Sequence, residues 1–113
     1  MPMMALMAVV SLTVQTARPD PLPYEETLRC AGLTQAASEL EGGESAEGRA
    51  LSDAALYWSL TAIQQAQIAG RSPAQAEAEQ TRARLRAVRE LTADDAAART
   101  NLQRCRARTP NLG

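Results

Sequence analysis

The stretch "YEETLRCAGLTQAASELEGG", residues 24–43, decides the fold. Cys30, Leu33, Ala37 and Leu40 recur at steps of three, four and three, which places them on one face of an α-helix. Glu25 and Glu26 open the segment, where the positive end of the helix dipole favours acids, and Gly42 with Gly43 closes it. The spacing predicts a first helix from about Leu22 to Glu41, with Cys30 near its start on the inward stripe. Prolines at 19, 21 and 23 make residues 18–23 an extended lead-in, because proline fixes its own backbone angle and disfavours helix in the residue before it. Near the other end of the chain, "NLQRCRAR", residues 101–108, holds the second cysteine in a similar setting.

Between these segments the pattern predicts two more helices. "GGESAEGRALSD", residues 42–53, reads as a glycine-containing acidic linker, and a second helix runs from about Leu51, a turn earlier at most, to Ala69, closed by Gly70. Leu56, Leu60 and Ile63 form one apolar row on it, with Ala55, Trp58, Ala62, Ala66 and Ala69 beside them. So broad an arc marks this helix as the central, most buried one. The third begins at "GRSPAQ", with Ser72 as N-cap, Pro73 at the first helical position and Gln75 completing a capping box. Ala74, Ala78, Thr81, Leu85 and Val88 form its expected inner stripe. Arg82, Arg86 and Arg89 line the opposite face, a candidate surface for a partner with anionic groups or, more simply, a solvated face meeting acidic helices. A fourth helix opens at "LTADDAAA" with Thr92 as N-cap and Asp94 and Asp95 in its first turn; Ala98, Leu102 and Cys105 face inward, and Pro110 ends it.

The expected fold is therefore all-α: a small antiparallel four-helix bundle, one domain over residues 24–109, followed by a tail at 110–113. Helices joined by short turns run antiparallel, so the fourth can lie beside the first with its end against the first one's start. Cys30 and Cys105 then meet, and in an oxidising compartment they form one disulfide joining the first and last helices; in a reducing cytosol they would be separate buried thiols.

Composition narrows the function. The chain has 113 residues and a net charge of −1, with no histidine, no phenylalanine and one tryptophan. Without histidine there is no imidazole for a metal site, a catalytic triad or haem. Alanine is the commonest residue, so the core is thin and the helices approach closely. Every basic residue is arginine. Residues 18–81 carry four arginines against ten acids and residues 82–108 carry eight against three, an asymmetry that two parts of one bundle can satisfy between them. The first seventeen residues, "MPMMALMAVVSLTVQTA", hold no charged side chain. They suit the apolar region of a secretory signal and are shorter than the roughly 20 apolar residues of a spanning helix. We expect residues 1–17 to be a signal peptide and the mature protein to be exported to the periplasm with no membrane span. An uncleaved anchor or a folded N-terminal helix are the alternatives.

The adjacent acids Glu25 with Glu26 and Asp94 with Asp95 sit in first turns, where the dipole accounts for them, and no zinc spacing, phosphate loop or nucleophile elbow is present. The expectation is a binding or structural protein that is not an enzyme, with no catalytic residue, cofactor or metal, no nucleic-acid target and an unidentified protein partner. "LTAIQ", residues 60–64, resembles the Leu-Thr-x-x-Gln pattern of small periplasmic all-helical stress chaperones and their metal-sensor relatives, and "LTADD", residues 91–95, matches half of it. That resemblance implies a chaperone-like or stress-sensing role as the alternative. It assigns no functional residue, because residues 60–64 fall inside the second helix and not at a helix start.

Overall fold

A computed structural model describes residues 22–111; the expected signal segment 1–17, most of the lead-in and the last two residues lie outside them. Four helices follow in order: α1 Tyr24–Glu41, α2 Ala46–Ile68, α3 Pro73–Thr92 and α4 Ala96–Ala107. Among the described residues there is no strand, and the helices pack as a bundle whose first and last members are joined by the Cys30–Cys105 disulfide, with Cα atoms 5.4 Å apart.

Capping chemistry sets the helix limits, and two of them differ from expectation. The linker after α1 is only Gly42–Ser45, because Ser45 Oγ accepts from the Gly48 N–H at 2.9 Å and starts α2 at Ala46. Gly48, read from sequence as a loop residue, is a buried helical residue. A Cβ built there would fall 1.7 Å from the Gly42 carbonyl oxygen, so this close return of the chain requires glycine. At the α3–α4 turn Thr92 does not cap. It is the last residue of α3; Asp94 takes φ 59°, and Asp95 is the N-cap, accepting from the Ala98 N–H at 2.8 Å. The capping box of Ser72 and Gln75 forms as the sequence indicates, with reciprocal bonds of 3.2 and 3.0 Å.

The central helix is α1, not α2. Thr27, Cys30, Ala31, Gly32, Leu33, Thr34, Ala36 and Ala37 are all buried on it, more than one face can hold, and α2, α3 and α4 each pack against it. Its small side chains make this possible. α3 crosses at Gly32, where an added Cβ would lie 2.5 Å from the Ala83 carbonyl oxygen, so the two backbones are nearly in contact. We predict that Gly32→Ala lowers stability by about 1–3 kcal/mol, the cost of forced overpacking, although alanine is the better helix former by about 1 kcal/mol. A thermal melt followed by circular dichroism checks the sign: an unchanged or raised midpoint would show that the crossing is looser than this.

α2 turns its alanines inward. Ala54, Ala55, Trp58, Ala62 and Ala66 are buried, while Leu56, Leu60 and Ile63 are 58, 52 and 43% exposed. The expected stripe of α3 is likewise rotated. Ala76 and Ala87 are buried, whereas Ala74, Ala78 and Thr81 are exposed and Leu85 is 44% exposed. Leu40, expected on the inner stripe of α1, is 55% exposed at its end, and Ala69 is exposed at the end of α2. The physical reason is common to these shifts: an alanine stripe lets helices approach until backbones nearly touch, and the longer side chains are left at the flanks.

Candidate functional site

Four cross-helix features position the surface. Arg29 of α1 donates two hydrogen bonds to Glu90 of α3, at 2.7 and 3.0 Å, a paired-fork arrangement. The Arg29 bonds hold the Glu90 carboxyl below the usual carboxylate range, against the opposing effect of burial. Arg84 of α3 pairs with Glu39 of α1 at 3.0 Å, and Arg106 of α4 pairs with Glu47 of α2. The arginine-rich end of the chain thus meets acids of the first two helices. On the fourth side, Trp58 Nε1–H donates to Thr109 Oγ1 at 2.9 Å, and that hydroxyl donates to the Cys105 carbonyl at 2.8 Å.

Of the predicted partner surface, Arg86 pairs with Glu90 at 3.0 Å one turn along α3. Arg82 and Arg89 are exposed and form no ion pair among the described residues. The three remain on one face, but they do not act as a set of equivalent cations. Asp94 pairs with Arg99 and Asp95 caps α4, so each of these acids has a structural partner. Among the described residues no three of Cys, Asp and Glu gather as a metal site would require.

Two concave regions stand out. The first is an open groove of about 390 Å³ where α2 and α3 part above α1. Its lining includes the apolar Ile63, Ala66, Pro73 and Ala76 and the amides of Gln35, Gln67 and Gln80. The groove exists because Ala66 and Ala76 are too small to fill the gap beyond the Ala69–Ser72 turn. Its two cations are already engaged, Arg71 by Glu79 at 3.4 Å and Arg84 by Glu39, so it offers apolar surface, amides and the exposed carboxylate of Glu77 rather than free positive charge. Such a lining holds an apolar side chain or helix face and orients polar backbone at its edge. Sequence reasoning missed it by placing Ile63 in the core.

The second region, about 360 Å³, lies over the disulfide, between Glu26 and Arg29 of α1 and Asn101, Arg104 and Arg108 at the end of α4. Arg104 sits in the last turn of α4, where the negative end of the helix dipole accounts for a cation.

No protein-family model, curated protein or solved structure matches the chain. The residues 60–64 that resemble the stress-chaperone pattern lie in the middle of α2. Thr61 Oγ1 donates to the Tyr57 carbonyl one turn back at 2.8 Å, and Leu60 and Gln64 are exposed. None of the three caps a helix. Among the described residues no helix is long and apolar enough to cross a membrane.

Proposed function

We propose that the chain is an exported, periplasmic, non-catalytic binding module, cleaved after residue 17, whose recognition surface is the groove between α2 and α3. The observation that carries this reading is the apolar lining of Ile63, Ala66, Pro73 and Ala76 left open on a domain with so little apolar side-chain volume to spare. The disulfide supports export, since such bonds persist in oxidising compartments. The partner is a protein segment presenting apolar side chains at helical spacing, the kind of ligand that lies in a groove between helices.

A neutral apolar dye, Nile red, tests the groove directly. The native full chain gives saturable, blue-shifted emission; Ile63→Asp reduces it at least tenfold in affinity, while Leu40→Asp, at the far end of α1, leaves it unchanged. Absent native binding, or binding indifferent to Ile63→Asp, removes the groove as the recognition surface.

The chaperone-like reading has its own support in the exposed Leu56, Leu60, Ile63 and Ile68 of α2, an apolar surface of the kind that captures unfolded chains. Suppression of aggregation of an unrelated client at several-fold excess decides for it, and no effect decides for a dedicated partner.

A further inference from the structure

The concave region over the disulfide carries an inference that goes beyond the groove, with which it shares no lining residue. Asn101, Arg104 and Arg108 follow at steps of three and four, so they share one face at the end of α4, and Glu26 and Arg29 of α1 line the same region. Arg29 is committed to Glu90 by its two hydrogen bonds. The side chains of Glu26, Asn101, Arg104 and Arg108 have no hydrogen-bond or ion-pair partner among the described residues. The dipole of α4 accounts for a cation in its last turn. It does not account for two guanidiniums, an amide and a carboxylate, all uncommitted, around one concavity. The Cys30–Cys105 bond fixes α1 against α4 at this level, with Cα atoms 5.4 Å apart, so the two walls are set before any ligand arrives.

The geometry points to a binding site for an aminoalkyl phosphate monoester, a small molecule that carries a phosphate dianion and a primary ammonium. A guanidinium presents a planar fork of donors that matches phosphate oxygens, and a phosphate monoester offers three acceptor oxygens. Arg104, Arg108 and Asn101 supply three donor groups for them. A carboxylate, with two oxygens, would leave one of the three unused. Glu26 disfavours a bare anion, since its own carboxylate lines the same space, and it gives the ammonium a partner. The charges also match. Two uncommitted guanidiniums against one uncommitted carboxylate leave one positive charge, and a dianion joined to one ammonium carries one negative charge.

Isothermal titration calorimetry of the disulfide-intact full chain at neutral pH, with O-phosphoethanolamine and with inorganic phosphate, tests the site. The native chain binds one O-phosphoethanolamine, at least tenfold more tightly than inorganic phosphate. Arg104→Gln and Arg108→Gln each weaken that binding at least tenfold, while Arg82→Gln, which removes another exposed arginine on α3, leaves it unchanged. Glu26→Gln shifts the two ligands in opposite directions: O-phosphoethanolamine binds more weakly and inorganic phosphate more tightly. These four side chains are exposed, so the thermal midpoint of each variant without ligand stays in place. Absence of binding by the native chain overturns the inference. So does equal affinity for the two ligands, a loss on Arg82→Gln as large as on Arg104→Gln, or a Glu26→Gln change that moves both ligands in the same direction. None of these residues lines the groove between α2 and α3, so these results and the dye-binding results are independent.

Discussion

Removing the Cys30–Cys105 bond, by Cys30→Ser with Cys105→Ser, is expected to lower the folding free energy by about 4 kcal/mol, the chain-entropy value for closing a loop of this length. The two cysteines are 75 residues apart, so the bond restrains nearly all of the described chain. A domain of this size has a total stability of about 5–15 kcal/mol, so the loss is a large fraction of what there is. The thermal midpoint falls by on the order of 20 °C, at several degrees for each kcal/mol. The core explains why the bond matters. It consists of Cys30, Ala31, Leu33, Ala36, Ala54, Trp58, Ala62, Ala87, Ala98 and Cys105, mostly side chains of one carbon. Alanine burial brings little hydrophobic free energy per residue, at about 25 cal/mol for each Å² of apolar surface removed from water. A melt followed by circular dichroism checks it, and a shift of only a few degrees would show that the bond closes on an already stable bundle.

Trp58→Ala is expected to destabilise by about 3–5 kcal/mol, towards the upper end of the range for an aromatic truncated in a core. Trp58 is 4% exposed and is the largest side chain in that cluster. Neighbours can collapse into a cavity only if their side chains are long enough to move, and alanines are not. The indole also links α2 to the chain just past α4, through Thr109 and back to the Cys105 carbonyl, so its loss removes a polar tie beside the disulfide. Trp58→Phe keeps most of the ring and forfeits the hydrogen bond, and costs about 1 kcal/mol for that bond beyond the volume change. Urea unfolding of both variants separates the two effects. If Trp58→Ala loses no more than Trp58→Phe, the cavity argument fails.

Much of the fold was legible in the sequence because capping signals are local. Ser72, Pro73 and Gln75 announce α3 without reference to anything distant, and the placement of Cys30 and Cys105 on inward stripes at matching ends implied their bond. Helix orientation was less legible. Ranking side chains by hydrophobicity assigns Leu56, Leu60, Ile63 and Leu85 to the core, whereas the packing distance between these helices is set by alanine and glycine, at Gly32 against Ala83 above all. Close backbone approach selects for small side chains, and a leucine row has no place at such a contact. The groove was hidden for the same reason, since small residues such as Ala66 and Ala76 line it. Gly48 shows the converse case: in sequence it resembles a loop residue, and only the path of Gly42 beside it shows why glycine stands within α2.

The measurement that bears most directly on the account is the intact mass of the protein recovered from cells that make it natively, alkylated without prior reduction. A chain stapled for life outside the cytosol begins at Arg18 and takes up no alkyl group until reductant is added. Two alkylated thiols in the unreduced sample would contradict the staple, and the full-length mass would contradict the exported, processed form.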